Sequence, residues 1–397
     1  MRQLYDPQSL WALTGLAVRI GQRMGLHREN TRGLSVFEAE IRRRLWWQII
    51  ILDSRSARLA AVALDTYHHW DTKRPLNVND SDLDPNMKEL PVEHTGVTEM
   101  LFCSIRYEIG EYMMAKNKNG QTMSAAMLIN QEDKAIDELE NRLEQNFLRY
   151  CDLSISFHLL ANYMARSSVC HMRLTAHHPG QYPDTGVNLP QDEKDMLFSL
   201  SLKTIEYDNS VHATKGLDRY LWHVNIFFPF EAFIYILSEL PCRSERELET
   251  RAWRQVHQSY DHHPNLIMDR GNVLYVAIGN LAVKAWEKTG GGARNYPGLH
   301  QATEPPFIST LRSQRNIKEV QVTQSFQDDS EVRSDESPNG GLQTGYLDQG
   351  TKSQWVDMHG TSNSALPPSY DLMDTSAMDW EYWQGLLEGQ GLPVLEW

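Results

Sequence analysis

The sequence predicts an all-α fold: an irregular multi-helix bundle followed by a disordered C-terminal region. Apolar residues recur at helical spacing along residues 1–288, and no segment alternates between apolar and polar residues as a β-strand would. The composition changes at Thr289, after which Gly, Pro, Ser, Gln and Asp are frequent and the residues that build a core are few. We therefore divide the chain into a helical domain (1–288), a disordered linker (289–352) and a tail (353–397).

The first predicted helix has clear signals at both ends. Asp6 can cap it, Pro7 suits the first helical position, and Gly25 can end it. An apolar stripe follows one face and is expected to pack inward: Leu10, Leu13, Leu16, Ala17, Ile20 and Met24. Gly15 and Gly21 each cost such a helix roughly 1 kcal/mol relative to alanine. We expect both glycines to permit close packing against a neighbouring helix.

The second predicted helix begins with a capping box formed by Ser35 and Glu38. Glu38–Arg42 and Glu40–Arg44 are pairs in the favourable i,i+4 orientation. The charged half runs directly into apolar residues that cover every side of the helix: Leu45, Trp46, Trp47, Ile49, Ile50, Ile51 and Leu52. Because a helix that is apolar all round is normally buried, we expect this helix at the centre of the bundle.

The remaining helices are separated by recognisable breakers. Pro75, Pro85 and Pro91 make residues 60–96 irregular, and Pro229 is expected to kink a later helix. The pattern predicts further helices at residues 98–113, 131–147, 154–175, 192–213, 221–240, 244–256 and 272–288.

Charge and hydropathy argue against two classes of partner. The formal net charge of −14 disfavours a chain that grips nucleic-acid phosphates through its overall charge. The longest apolar stretch, residues 225–237, is interrupted by Pro229 and Glu231, whereas a membrane span needs about 20 apolar residues. We therefore expect no membrane association.

Motifs of enzymes and metal sites are missing from the sequence. It contains no G-x-S-x-G, no phosphate-binding glycine loop and no H-E-x-x-H, so we predict no catalytic residue. Asp80, Asp82 and Asp84 do not form an EF-hand loop, because Pro85 and Pro91 stand where that loop needs Gly and Glu.

Three adjacent histidine pairs are the other candidates for metal ligation: His68-His69, His177-His178 and His262-His263. Neighbouring side chains on a helix diverge by about 100°, so one pair seldom chelates a single ion. Different pairs could still meet in the folded chain. We predict no metal site.

Three motifs follow one another between residues 17 and 85. The first runs from Ala17-Val18-Arg19-Ile20 to Met24-Gly25-Leu26-His27-Arg28, and the third is Lys73-Arg74-Pro75-Leu76-Asn77-Val78-Asn79-Asp80 with Asp82, Leu83 and Pro85. The second lies between them and consists of Arg42, Arg43, Arg44, Leu45, Trp46, Trp47 and Asp53. In this order the motifs resemble the fungal-specific regulatory domain of binuclear zinc-cluster transcription factors.

The resemblance implies a nuclear transcription regulator, specific for one pathway, and no enzyme. Residues 70–80 are similar to regulators of secondary-metabolite gene clusters. We also expect a homodimer or a partner transcription factor, with DNA reached only indirectly.

The DNA-binding module of that family needs six closely spaced cysteines around two zinc ions. This chain has four cysteines, and no two form a C-x-x-C pair: Cys103, Cys151, Cys170 and Cys242. We expect zinc only in an N-terminal cluster outside this chain, no other cofactor, and no DNA-binding residue within it. The first motif lies close to Met1, so we interpret residues 1–288 as an N-terminally incomplete regulatory domain. The alternatives are an effector-binding or dominant-negative module that does not contact DNA, and a non-functional truncated paralogue.

The charged residues of the second helix allow two interpretations. Arg42, Arg43 and Arg44 could contact nucleic acid, but acidic residues one turn earlier favour structural ion pairs. A second charged group follows the apolar run: Asp53, Arg55 and Arg58. We expect a buried acid–base network there, in which Asp53→Ala costs roughly 3 kcal/mol. The resemblance leaves open an effector pocket lined by arginines and aromatic side chains.

The tail contains no Lys or Arg and alternates acidic with aromatic residues. This composition is typical of disordered activation domains, whose aromatic side chains dock into coactivator grooves. The alternative is a tail that folds back onto its own core. The candidate activation contacts are Trp380, Tyr382, Trp383, Leu386 and Leu387.

Overall fold

The structure, a computed structural model, describes residues 7–29, 33–60, 70–116, 125–178, 189–225, 228–289 and 304–314. Every regular element within these ranges is helical, which confirms the predicted fold class. The first six helices are α1 (Pro7–Arg23), α2 (Val36–Leu59), α3 (Leu101–Lys116), α4 (Ala125–Asn146), α5 (Ser156–Ala176) and α6 (Gln191–Ala213). The next six are α7 (Leu221–Val224), α8 (Phe230–Glu239), α9 (Arg246–His262), α10 (Asn265–Met268), α11 (Val273–Lys288) and α12 (306–314). None of the described helices is both long and apolar enough to cross a lipid bilayer.

Helices α1 and α2 form an antiparallel hairpin. Gly25 adopts a positive φ of 71° after α1, where the chain turns back. The predicted capping box of α2 is confirmed: the Glu38 amide donates to Ser35 Oγ at 3.2 Å, and the Ser35 amide donates to Glu38 Oε2 at 2.8 Å. These local bonds fix where α2 begins.

The face of α1 that packs on α2 is the opposite of the one we predicted. Thr14 and Val18 are buried there, and Gly21 lies beside them. The apolar side chains of the predicted stripe are exposed instead: Leu13, Leu16, Ile20 and Met24. The small and β-branched residues on this face let the two helices approach closely.

Helix α2 is not buried all round, so the expectation of a fully enclosed central helix is wrong. Trp46, Trp47 and Ile50 are buried, whereas Leu45 is 46% and Leu52 is 48% exposed. Helix α1 covers one side of α2, residues 70–80 and α3 cover another, and the side with Leu45 and Leu52 is exposed.

The first core lies between α1 and α2 and includes Val18, Trp46 and Ile50. Helices α3, α4 and α5 share the second core. Its fully buried side chains come from all three helices: Leu101, Ile105, Ile136, Leu139, Leu143, Ala161 and Ala165. Helix α6 packs against α5 on one side and against α8 and α9 on the other, and thereby joins this core to the next.

The third and largest core is built around α8 and α11. It contains Phe198, Phe233, Trp253 and Trp286, whose buried rings fill the space between α6, α9 and α11. The predicted single helix 221–240 is divided into α7 and α8, and Pro229 precedes the first residue of α8. Proline cannot donate the backbone hydrogen bond that a continuous helix requires at that position.

Helix α12 departs from the predicted linker. Phe307, Ile308 and Leu311 are buried in the third core, and a β-carbon built on Gly279 would meet Leu311 Cδ2 at 2.8 Å. The linker prediction therefore does not hold for residues 304–314. The rest of the linker after Thr289, and the whole tail with its candidate activation contacts, lie outside the described residues.

Candidate functional site

The three sequence motifs meet at one place, which we call the motif core. It is formed by Glu29 after α1, the basic run and tryptophans of α2, and residues 70–80. Glu29 connects all three: Arg43 Nε donates to Glu29 Oε1 at 2.9 Å, and the backbone amide of Lys73 donates to Glu29 Oε2 at 2.9 Å. One carboxylate thus holds α2 and residues 70–80 together.

Glu40 makes a second junction in the motif core. Its side chain is fully buried, and Glu40 Oε1 accepts from Arg44 Nε at 3.2 Å and from the Leu76 amide at 3.1 Å. Arg44 Nη1 also donates to Asp80 Oδ1 at 2.7 Å. The predicted Glu40–Arg44 pair is confirmed, and it extends to the third motif.

The pKa values of the two glutamates shift in opposite directions. Burial raises the pKa of Glu40, and the hydrogen bonds from Leu76 and Arg44 offset this only in part. Burial also acts to raise the pKa of Glu29, but the hydrogen bonds from Arg43 and Lys73 outweigh it and leave that pKa below its usual value. The carboxyl group of Glu29 is therefore the stronger acid of the two.

The tryptophans of the motif core pack at ring-edge geometry. Trp47 lies 5.1 Å from Trp70 at an interplanar angle of 85°, and 4.9 Å from Tyr107 on α3. Trp47 Nε1 donates to the Lys73 carbonyl at 3.0 Å. Trp46 lies 6.2 Å from Trp70 on the other side. Trp70 is thereby placed between the two α2 tryptophans, and edge-to-face pairs of this kind add to the stability of apolar burial.

The other predicted members of the second motif have different surroundings. Arg42 Nη2 donates to the Met24 carbonyl at 2.7 Å, so it closes the turn after α1. Leu45 is exposed and takes no part in the core. All three arginines of the run thus bond to carboxylate or carbonyl oxygens of the same domain, as expected for structural residues.

The predicted network of Asp53 with Arg55 is wrong. Asp53 is buried and faces α1, where the Thr14 hydroxyl and the charge of Arg19 partly offset the burial that raises its pKa. Arg55 instead donates from Nη1 to His223 Nε2 at 3.3 Å. Residues two apart on a helix point about 200° from each other, so these two could not pair. The side chain of Arg58 lies outside the described part.

Two further sets of contacts in this region were not predicted from the sequence. Arg74 donates to Glu108 on α3, and Arg142 Nε on α4 donates to Glu108 Oε2 at 3.3 Å. Asn77 Nδ2 donates to the carbonyl oxygens of His94 and Gly96 and so shapes the segment before α3. Only the positions of Arg74 and Asn77 within the third motif indicated that they have a role.

Two of the predicted histidine pairs contain a residue that meets other potential ligands. His177 Nε2 lies 2.9 Å from Asp133 Oδ1, and the other residue is His263. His263 Nε2 lies 2.7 Å from Asp208 Oδ2, and the ring of His212 lies 4.5 Å from that of His263. One ligand atom from each of these three residues lies within 4.8 Å of the others, which is close enough to hold a metal ion. His212 Nε2 also contacts Asn225 Oδ1 at 2.7 Å, so the cluster satisfies its hydrogen bonds without an ion.

Comparison with known families matches residues 2–145 to the fungal specific transcription factor domain. The aurofusarin cluster transcription factor aurR2 of Gibberella zeae is 37% identical over 411 residues, which cover 98% of this chain and 60% of that protein. The transcriptional regulator AacuB of Aspergillus aculeatus is 29% identical over 86% of this chain and 47% of that protein. The pyriculol/pyriculariol biosynthesis cluster transcription factor 1 of Pyricularia oryzae is 26% identical over 78% and 43%.

The chain spans 60% or less of the length of these curated relatives. No solved structure matches it. The motif core lies entirely within the residues that match the family, and its contacts join the motifs that first suggested the resemblance. Residues 2–145 therefore belong to the fungal specific transcription factor domain family, and similarity to a fungal gene-cluster transcription factor extends along nearly the whole chain.

Proposed function

We propose that this chain is the regulatory part of a pathway-specific transcription regulator that acts in the nucleus on a secondary-metabolite gene cluster, and that it is no enzyme. The observation that carries the proposal is the 37% identity to the aurofusarin cluster transcription factor along 98% of the chain. The name of the Pyricularia relative points to the same kind of pathway.

Within this proposal the motif core is a scaffold. Arg43 and Arg44 are engaged by Glu29, Glu40 and Asp80, so they are not free to bind phosphates. Contact with DNA then comes from a zinc-containing module outside this sequence or from a partner chain. This assignment agrees with the net negative charge.

A homodimer or a partner transcription factor would use the exposed apolar side of the α1–α2 hairpin. Leu16, Ile20 and Leu45 are each about half exposed there. Contiguous exposed apolar side chains commonly mark protein–protein contacts.

The acidic tail would recruit coactivators. Its aromatic and leucine side chains supply the apolar contacts, and its acids keep them hydrated until they dock. The residues we assign to this contact are Trp380, Tyr382, Trp383, Leu386 and Leu387.

The proposal can be tested by fusing the whole chain to an unrelated DNA-binding domain in a fungal host with a matching reporter gene. We expect the fusion to activate the reporter, and we expect joint replacement of Trp380, Trp383, Leu386 and Leu387 by alanine to abolish activation at equal protein level. Trp355→Ala, an aromatic change elsewhere in the tail, is the control and should leave most activity. A well-expressed fusion that never activates the reporter would contradict the proposal.

A second candidate function is an effector-binding module that does not contact DNA. The observation in its favour is the pair Arg55 and Arg106, for which the described residues contain no carboxylate at ion-pair distance. A gel-shift assay of this chain should give no tight, salt-sensitive complex with duplex DNA, because the chain has no assigned DNA-binding residue.

A further inference from the structure

Three basic side chains from α2, α3 and α7 meet near the ring of Phe102. Arg55 of α2 donates from Nη1 to His223 Nε2 of α7 at 3.3 Å. The His223 ring lies edge-on to Phe102 of α3, with a centroid distance of 5.4 Å. The guanidinium carbon of Arg106 lies 5.8 Å from the same Phe102 ring. Both arginines therefore converge on Phe102 and His223.

Nothing in the described part of the chain neutralises this group. Arg43, Arg44, Arg74 and Arg173 all lie within ion-pair distance of carboxylates, whereas Arg55 and Arg106 have none among the described residues. Two adjacent, partly buried cations without an anion are costly, because burial removes their hydration and no ion pair replaces it.

This arrangement lowers the pKa values of all three basic groups. Burial and the charge of Arg106 lower the pKa of Arg55 to about 10, and burial also lowers the pKa of Arg106. Burial and the two arginines lower the pKa of His223 to about 4, so His223 is neutral at pH 7 and can accept the Arg55 hydrogen bond. Both arginines keep their charge at pH 7, so the group has two positive charges.

Further aromatic rings adjoin Phe102 and His223. Phe157 lies 6.2 Å from Phe102, and Tyr220 lies 6.1 Å from Phe157. Trp222 lies 5.5 Å from His223, and its side chain is 67% exposed, so the group reaches the protein surface there. Planar guanidinium groups match carboxylates in a bidentate geometry, and the rings offer a stacking surface.

We propose that Arg55 and Arg106 bind the carboxylate of a small aromatic acid, whose ring packs among Phe102, Phe157 and Trp222. The bound acid supplies the missing anion and links α2, α3 and α7. This inference deepens the proposed function and rests on it for its regulatory meaning, because an acid bound at this position would be the effector of the regulator. The binding itself can be measured without any transcription assay.

A carboxylate of the chain itself could provide the same chemistry. Asp65 lies six residues after the end of α2, and the tail contains further acids such as Asp379 and Glu381. The experiment must therefore distinguish a free acid from a resident side chain.

The test uses the whole chain and calorimetric titration with 2-naphthoate. We expect saturable binding of one equivalent, and at least tenfold weaker binding of the neutral analogue 2-naphthylmethanol and of inorganic phosphate. Arg55→Met and Arg106→Met should each weaken 2-naphthoate binding at least tenfold. Arg254→Met, which changes an exposed arginine of α9, is the control and should leave binding unchanged.

The melting temperatures of the variants distinguish a loss of binding from misfolding. Because the arginines lack an anion, Arg55→Met and Arg106→Met should not lower the melting temperature in the absence of 2-naphthoate, and Arg55→Gln provides a second, polar variant. A large fall in melting temperature for these variants would indicate a resident counter-ion and would overturn the proposal.

Two further variants decide whether the carboxylate is a free acid or a side chain of the chain itself. They are Asp65→Asn and a chain that ends at residue 352. The proposal expects both to bind 2-naphthoate as the unaltered chain does. Binding that appears, or increases tenfold, only after one of these changes would assign the site to that segment and overturn the proposal. No binding by any variant, together with full activity of the reporter fusion, would reject the effector site and leave the proposed function intact.

Discussion

Gly21 of α1 lies directly against the ring of Trp46 in α2. A β-carbon built on Gly21 would be 3.1 Å from Trp46 Cζ3 and 3.3 Å from Cε3. Trp46 is almost completely buried, so it has little room to move away. The close approach of the two helices therefore depends on the absence of a side chain at this one position.

Replacing Gly21 by alanine should destabilise the protein, in spite of the better helix propensity of alanine. Overpacking of a rigid core costs about 1–3 kcal/mol, whereas the propensity gain is about 1 kcal/mol. Gly15→Ala is the matched control, because no atom lies within 4 Å of its β-carbon position. We expect Gly15→Ala to raise the melting temperature and Gly21→Ala to lower it, and equal shifts in thermal melts would contradict the packing of α1 on α2.

Glu40→Ala should destabilise the protein strongly. It leaves Arg44 and the Leu76 amide without their buried acceptor, and breaking a buried ion pair costs about 3–5 kcal/mol. Glu138→Ala, an exposed change on α4, should stay within about 0.5 kcal/mol. Urea unfolding monitored by circular dichroism compares the two variants. A small loss for Glu40→Ala would mean that the second junction contributes little to stability.

Asp53→Asn should be far milder than a change at Glu40. Asp53 has no arginine at ion-pair distance among the described residues, and burial raises its pKa, so its charge is a cost to the folded state. We expect a change within about 1 kcal/mol at pH 7, compared with about 3–5 kcal/mol for a broken buried pair. The same urea experiment measures the free energy of unfolding of this variant. A loss as large as that of Glu40→Ala would support the acid–base network predicted from sequence.

Glu29 should make the protein sensitive to acid. Its folded-state pKa lies below the ordinary value of 4.5, so its contribution is present above pH 4.5 and is lost as the pH falls through the lower, folded-state pKa. Glu40 acts in the opposite direction, because its raised pKa favours protonation in the folded state. Glu29→Gln should therefore be less stable than the unaltered chain at pH 7 and lose less stability on acidification. Parallel pH profiles of the two proteins would refute this role of Glu29.

Ile308→Ala should show that α12 is part of the folded domain. Ile308 is completely buried, and removing a buried isoleucine side chain costs about 2–5 kcal/mol. Thr310→Ala, on the exposed side of α12, is the control. If thermal melts show no difference between the two variants, α12 does not pack in the third core.

Periodicity predicted which parts of the chain are helical, because the spacing of apolar residues and the capping signals are local. The capping box of Ser35 and Glu38 and the burial of Trp46 and Trp47 are examples. The same pattern did not predict which side of a helix is covered. The helical wheel predicts that Leu45 and Leu52 are buried. Both are exposed, because no neighbouring helix in the described part covers their side of α2.

The sequence also did not predict contacts between residues that are distant along the chain. Glu29 is separated from Arg43 by a turn and from Lys73 by all of α2, and no local rule pairs them. Helix α12 lies in a segment whose composition is typical of linkers, and the burial of Phe307, Ile308 and Leu311 in the third core explains why it is folded. The resemblance placed the motifs in one domain, and the structure adds the bonds that join them.

The Glu29–Arg43 pair provides the most direct test of the motif core as a scaffold that unites the three motifs. A double-mutant cycle with Glu29→Gln, Arg43→Met and the combined variant, measured by urea unfolding, isolates the coupling between them. Directly bonded residues of this kind couple by about 0.5–3 kcal/mol, and we predict a value in that range. A coupling energy of zero would contradict the account, because Glu29 would then not connect α2 to residues 70–80.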